Sequence, residues 1–506
     1  MKVFGFEFGS RQPVSSTARV KDRSVRRGAG RFAAGKSDNL VASFSGSHLS
    51  INEECHRYLA RMQYRARDLA MNNDYARKFL NVVNSNIVGP GGIKLKCQFI
   101  DREGNPDLGD QARVEKQWQL WSKRKYCSVD GKLSWHDIQS LAIKTIARDG
   151  EVLIQKVRTK ESKYFLKLRV LECDHLDTNH NQQLPDGRRI VMGVELDRND
   201  RPRAYWLTSR HPGEYGSYEH INRRRVPAEE ILHLFITERP GQVRGVPWMH
   251  SAIRRLNMLG GYEEAELVAA RIGASKMGFY TSTEATEMIP DGVADDSQEY
   301  DDYDLVAEVE PGEFHRLPPG VDLTSFDPQH PTAAFPDFAR AMLRGVTAGL
   351  NISYASGSND LTDVNFSSIR AGVLDERDQW RMLQNWFSDV LHNEIYDEWI
   401  GYQVEHKGAP LTMLPADKIE TKYSDVAWQA RGWDWVDPAK DIKAKIDEYF
   451  LGTTTLTEIA AAKGKDLNDI FKQRQSEIDL ANSYGLSVGQ VVKKITNEEA
   501  DQDGRT

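Results

Sequence analysis

The segment that most constrains this chain runs from Pro336 to Phe387. It reads as a helix (PDFARAMLRGVTAGL), a polar stretch (NISYASGSNDLTDVNFSS) and a longer helix (SIRAGVLDERDQWRMLQNWF) whose pattern continues toward Trp399. Ser, Asn, Asp and Gly dominate the polar stretch, and such residues favour turns because they tolerate left-handed φ or hydrogen-bond their own backbone. Between Arg344 and Arg370 the only charges are Asp360 and Asp363. A small-residue, non-basic loop held between two helices suits a surface past which something large and polar slides without sticking.

A chain of 506 residues accommodates roughly three domains. With 40% hydrophobic and 28% charged residues it has the makings of a globular core. No run of 18 apolar residues offers a membrane span, and MKVFGFEFGSRQPVSS has no apolar signal-peptide core. Cys55, Cys97, Cys127 and Cys173 are widely spaced without a C-x-x-C, which argues against a disulfide framework or zinc site and suits a reducing cytoplasm. The net charge of −7 is uneven: residues 1–36 hold nine Lys/Arg and two acids, so they carry +7 and the remainder −14. That is not the overall basic footprint of a protein that grips nucleic acid.

Residues 1–48, basic and without hydrophobic periodicity, read as disordered. Helical spacing of Leu59, Met62, Leu69, Phe79, Val82 and Val83 predicts helix from about Ser50 to Asn86, stopped by Gly89-Pro90-Gly91-Gly92. IKLKCQF then reads as a strand, followed by a helix around Asp110–Lys125 and another capped by Ser134 and running to Arg148. EVLIQKVR, YFLKLRVLE, RIVMGVELD, AYWLT and ILHLFI are strand-like, giving an α+β region with an antiparallel sheet. Pro247 suits the first turn of a helix over about Trp248–Ile272, some 37 Å long, in which Gly260-Gly261 implies a kink or a close backbone approach. From Met277 to His315 there are twelve acids and no Lys or Arg, with DLVAEV and LTSFD as bounding strands. The region after Pro438 is small and helical, and no internal repeat is present.

The formal motifs are weak. Gly30-Arg31-Phe32-Ala33-Ala34-Gly35-Lys36-Ser37 fits a phosphate-binding loop, the basis of an alternative reading as a nucleotide-using enzyme. Such a loop needs a buried strand before it and a helix after it, and SVRRGA and SDNLVASFSGSHLS supply neither. Asp295, Asp296, Glu299, Asp301, Asp302 and Asp304 lack the calcium-loop pattern and read as a solvated face or a docking surface for a basic partner. His175 and His180 lie in a turn-like segment, and neither H-E-x-x-H nor G-x-S-x-G occurs. Arg254, Arg255 and Arg271 on the first long helix and Arg340 and Arg344 on the second either pair with Glu263, Glu264 and Glu266 or contact a polyanion or a neighbouring subunit.

Several segments, in order, resemble the lambda-like portal proteins of tailed bacteriophages. They are RARDLAMNNDYARKFLNVVNSNIVGPGGIKLK, VLECDHLDTNHN with GVELDRNDRPRAYWL, RPGQVRGVPWMHSAIRRL, FDPQHPTAAFPDFARAMLRGVTAGLNISYASGSNDLTDVNFSSIRAGVLDERDQW and GWDWVDPAKD. The resemblance covers nearly everything from about Arg61 onward and leaves Gly30–Ser37 outside.

The resemblance implies an α+β portal fold with an α/β wing, a two-helix stem, a small clip and a helical C-terminal crown. On this chain the wing falls at 49–246 and 366–437, the stem helices at 247–276 and 332–350, the clip at 277–331, the tunnel loop at 351–365 and the crown-like region at 438–506. It implies a non-enzymatic, cofactor-free homo-oligomeric ring, usually dodecameric, at one vertex of the virion capsid and assembled in the host cytoplasm. Double-stranded DNA passes through such a ring in packaging and ejection. Its implied partners are the terminase large subunit, a head-completion protein and the major capsid protein. Asn351, Ser353, Tyr354, Ser356, Ser358, Asn359, Asp360 and Asp363 are then the DNA-facing loop, the five arginines belong to the stem and channel, and the acids at 295–304 to clip docking. The other alternative is a capsid adaptor or scaffold that never touches DNA.

Overall fold

The computed structural model describes residues 46, 48–214, 222–274, 278–282, 321–325, 335–362, 366–433, 438–463 and 467–484. The basic segment 1–48 falls outside these apart from residues 46 and 48, and so does the phosphate-loop match Gly30–Ser37. From Ile51 onward the chain forms one unit.

It opens with α1 (Ile51–Asn72) and α2 (Asp74–Ile87). The periodic run read as one helix is two, because Asn73 is extended and its side chain accepts the Ala76 amide, capping α2. There follow β1 (Lys94–Cys97), α3 (Leu108–Trp121), the short α4 (Arg124–Cys127) and α5 (Trp135–Asp149). Ser134 and Asp137 form a reciprocal capping box at the start of α5, and Gly150, at φ 90°, ends it.

β2 (Glu151–Arg158) and β3 (Leu166–Leu171) form a hairpin, and β9 (Ile231–Phe235) adds to the other edge of β2, all antiparallel. A five-stranded antiparallel sheet runs in order through β4 (Gln182–Gln183), β5 (Arg189–Val191), β6 (Val194–Leu196), β7 (Pro202–Thr208) and β8 (Arg223–Pro227). RIVMGVELD, read as one strand, is a hairpin: Met192 at φ 48° and Gly193 at φ 85° make a two-residue turn between β5 and β6.

The first long helix, α6, spans Ile253–Ala274. It begins later than Pro247 implies, because His250 and Ala252 close tight turns on Pro247 and Met249 first. It runs unbroken through Gly260-Gly261, where no backbone presses close: Asn73 Nδ2 would lie 3.6 Å from a Cβ at Gly260, and nothing lies within 4 Å at Gly261. β10 (Gly278–Ser282) and β11 (Val321–Ser325) pair antiparallel. DLVAEV lies outside the described residues.

α7 (Phe335–Gly349), a short α8 (Tyr354–Ser358) and α9 (Phe366–Phe387) come next. A π-helical turn, Ser388–Asn393, joins α9 directly to α10 (Glu394–Glu405). β12 (Val426–Gln429) then returns to pair with β1, and α11 (Pro438–Leu451), α12 (Leu456–Ala462) and α13 (Leu467–Ser483) end the described chain.

The main core lies where α2, α3, α5 and α10 cover the β2–β3–β9 sheet. At its centre Trp118 stacks edge-on to Trp135, Tyr396 and Trp399 at centroid distances of 5.1 to 5.7 Å. This core binds the helix after the polar loop to the N-terminal half of the chain. All four cysteines are free and buried.

Candidate functional site

The polar loop is shorter and more built than its composition suggests. α7 ends at Gly349, and Asn351 (φ 55°) and Asn359 (φ 57°) take left-handed conformations on either side of α8, as Asn does with little strain. The Ser353 hydroxyl caps α8 by accepting the Ser356 amide at 3.2 Å. Gly357 is buried because a Cβ there would sit 2.5 Å from Thr347 Cγ2. The first half of the loop is thus a capped helical turn packed on α7.

Glu376 of α9 anchors that turn. Its Oε2 accepts the Ser353 amide at 3.2 Å and the Ser356 hydroxyl at 2.8 Å, while Oε1 accepts the Trp380 indole N–H at 3.1 Å. The carboxylate is nearly buried, so each of these is a charge-assisted bond shielded from water. Sequence reading missed Glu376. The only signal was an acid one helical turn before a tryptophan, which is common on helices.

A second network closes the far end. Asp360 accepts from the Thr362 amide and hydroxyl through Oδ1 and from the Tyr354 hydroxyl (2.8 Å) through Oδ2. These bonds, those of Thr362 first, with help from the Arg340 guanidinium, hold its carboxyl down at about 2. Arg340 Nε lies 3.7 Å from Asp360, and the Arg344 guanidinium sits 5.6 Å over the Tyr354 ring. A stretch that holds no base in sequence therefore has two in space.

Of the predicted loop residues, Ser353, Ser356 and Ser358 are half-buried with their hydroxyls turned inward, Ser358 donating to the Tyr354 carbonyl. Asn351 and Asn359 are exposed, as are Leu361 and Thr362. Asp363 lies outside the described residues, as do Asp295, Asp296, Glu299, Asp301, Asp302 and Asp304.

Among the arginines, Arg254 and Arg271 are exposed on α6. Arg255 lies against α7, where Gly345 leaves room for its guanidinium: a Cβ there would be 1.9 Å from Nη1. Ser251 bonds the Gly349 carbonyl at 2.8 Å, and Tyr262 packs on Phe335 and Phe338, so α6 and α7 form a paired unit. Glu263 accepts the Tyr75 hydroxyl at 3.0 Å.

The turn before α6 is tied down by a buried ion pair. Arg244, 1% exposed, forks onto Glu151 at 2.6 to 3.0 Å and also donates to the carbonyls of Cys173, Leu176 and Met192. Burial alone would raise the Glu151 carboxyl, but Arg244 and the hydrogen bond from His233 outweigh it and hold it near 2. Gly245 and Gly150 face each other so closely that a Cβ on Gly245 would meet the Gly150 carbonyl oxygen at 2.2 Å.

One trio among the described residues, Glu172, Asp174 and His211, has metal-ligand types close together. It is better explained as an ion-pair network. Asp174 pairs with Arg67, the Gly213 amide donates to His211 Nδ1, and His211 Nε2 lies 3.1 Å from Glu172. No helix among the described residues is long and apolar enough to cross a membrane.

Comparison with known proteins places this architecture. Residues 37–384 match the family described as phage portal protein, lambda family. The "Probable portal protein" of Halomonas phage phiHAP-1 is 33% identical over 449 residues, 87% of this chain and 85% of that one. Portal protein B of Escherichia phage lambda is 21% identical over 456 residues, 83% of this chain and 84% of that one. Among solved structures, the neck of a native gene transfer agent particle computed with C12 symmetry aligns over 83% of this chain and 96% of that one, at 13% identity and a TM-score of 0.43.

Both of these phage relatives are named as portal proteins. The chain belongs to the lambda family of phage portal proteins. Its role is the portal role: a homo-oligomeric ring in the phage head that serves as the channel for DNA packaging and ejection and as the site of head–tail connection.

Proposed function

We propose that the segment from Asn351 to Asn365 lines the narrowest part of that channel, with α6 and α7 as the stem beneath it and 277–331 as the clip. One observation carries the reading: a turn fixed at both ends by Glu376 and Asp360 presents exposed Asn351, Asn359, Leu361 and Thr362 between two long helices. Duplex DNA carries one negative charge per about 1.7 Å of axis, and each Lys or Arg that meets a phosphate deepens the well from which the duplex must be pulled. The exposed residues offer weak, exchangeable hydrogen bonds and an apolar contact instead. The serine hydroxyls, tied inward, shape the turn and leave the sliding contacts to its rim. On this reading the ring is a dodecamer assembled in the host cytoplasm, its acidic clip segment docks the terminase large subunit and then a head-completion protein, and its outer surface meets the major capsid protein.

The test is a charge placed on the rim. Leu361, 63% exposed, can become lysine without disturbing a hydrogen bond. Leu361→Lys is expected to leave rings intact in electron micrographs while slowing packaging at low salt, with the defect shrinking as salt rises. Unchanged packaging in rings shown to contain the variant would remove the loop from the channel wall.

A further inference from the structure

A groove beside β1 has no role in the reading above. It encloses about 560 Å³ between β1, α3, the start of α5 and α13, the size of an ordinary ligand site. Its floor is Trp118 and Trp135, and its rim is Lys94, Lys96, Lys116 and Lys472. The carboxylate in its wall, Glu115, is already occupied by the Cys97 amide (2.9 Å) and by Lys96 (3.3 Å). Lys94, Lys116 and Lys472 are exposed and have no ion-pair partner among the described residues. The edge of β1 that faces away from β12 is part-closed, since Gln139 takes both backbone groups of Ile93 and Glu115 the Cys97 amide. Leu95, between them, is left as an open rung for an extended segment.

We infer that the occupant is this chain's own C-terminal tail, residues 485–506, docked with its acidic run against the lysine rim. The tail comes directly after α13, the helix that forms one wall of the groove through Asn468 and Lys472. Its Glu498, Glu499, Asp501 and Asp503 lie in a stretch, 495–504, without a single Lys or Arg. Reach is sufficient. From Lys472 to Tyr484 is twelve residues of chain, roughly 18 Å at a helical rise, and the fourteen residues from Tyr484 to Glu498 span up to about 48 Å when extended. Tethering gives the tail an effective concentration of the order of millimolar, so it outcompetes a free anion of equal intrinsic affinity. The consequence is a strap that ties α13 back to the β1–β12 ribbon and ends the exposed lysine patch.

The experiment is zero-length carbodiimide coupling of the full-length ring, mapped by mass spectrometry. Isopeptides between the acids at 498–503 and Lys94, Lys116 or Lys472 are expected. They should fall at least tenfold in a tail variant carrying Glu498→Gln, Glu499→Gln, Asp501→Asn and Asp503→Asn. The ion pair of Lys422 with Asp107, 2.6 Å apart, is the internal control. Control coupling without tail coupling overturns the inference. So does coupling found only between differently isotope-labelled chains in mixed rings, which would place a neighbour's tail in the groove. Protection of these lysines by added duplex DNA, with no tail coupling in its absence, would assign the groove to phosphate and also refute it. None of these outcomes depends on the channel-loop reading.

Discussion

Removing the Glu376 carboxylate should melt the loop while sparing the rest of the protein. Two of its three bonds hold the turn, from the Ser353 amide and the Ser356 hydroxyl, and the third, to Trp380, stays within α9. A hydrogen bond to a charged, shielded acceptor contributes about 1.5–3 kcal/mol, so losing two should make local opening easier by about 3–4 kcal/mol once partial compensation by water is allowed. At about 1.4 kcal/mol per decade this is a fall in amide protection of roughly a hundredfold to several hundredfold. Glu376→Gln keeps an acceptor oxygen without the charge and should cost about 1–2 kcal/mol, roughly tenfold. Hydrogen exchange read by mass spectrometry on residues 353–360 of Glu376→Ala, Glu376→Gln and the parent ring gives the three values side by side. The amides of β2, buried in the main core, serve as the reference that should not move. If the loop exchanges equally fast in all three, its order comes from packing on Thr347 and from Asp360, and the anchoring argument fails. If β2 accelerates in step with the loop, Glu376 supports the fold as a whole.

Arg244→Met strands the Glu151 carboxylate in a site with no exposure and should destabilise the chain by about 3–5 kcal/mol, seen as a fall in melting temperature; adding Glu151→Gln should recover part of it. Burial pushes His392 down to about 3, so the native state stays neutral while the unfolded chain takes a proton below its ordinary value of 6.5. Its effect on stability is absent above that value and grows as pH falls from 6.5 toward 3, and His392→Phe should flatten the stability–pH curve over that window. Glu151 acts at lower pH: held near 2 against an ordinary 4.5, it stabilises above 4.5 and loses that contribution as pH falls toward 2, a slope that Glu151→Gln should remove. Gly357→Ala should shift the α8 turn by forcing Thr347 aside, visible as altered amide shifts or exchange confined to 347–360.

What the sequence disclosed tracks the range of the forces involved. Local signals were legible: the Ser134 cap, the extent of β2 and the helical pattern continuing toward Trp399 all depend on neighbours within a few positions. Where reading failed, the deciding partner was either a subtle local turn or distant in sequence. Asn73 splits the first helical run by capping its second half, and Met192-Gly193 folds one apparent strand into a hairpin. The pairing of β1 with β12 joins residues more than 300 positions apart. Arg244 sits in a stretch that the family resemblance flagged as a whole, but its partner Glu151 lies 93 positions earlier. Nothing in either local pattern marks the two as a pair.

The loop shows the same division at the scale of the site. Its boundaries and lack of basic residues are sequence facts, and it lies within one of the segments that carried the family resemblance. Its electrostatic character is a property of the fold. On the channel-loop proposal, Asp360 would be an unscreened negative charge on the rim if composition were the whole account, and it would repel DNA. Instead Arg340 reaches it from α7, four residues and one turn from Arg344, which covers Tyr354. The pairing leaves the described turn close to neutral and locks its geometry without placing a free cation at its tip. If the loop lines the channel as proposed, a wall that must neither hold nor push a polyanion is better served by internally compensated charge than by an absence of charge. The ion pair supplies rigidity as well, which an all-serine loop would lack. The serines are then read differently from what their abundance suggests: they satisfy Glu376 and the ends of α8, and their small size lets the turn pack against Thr347.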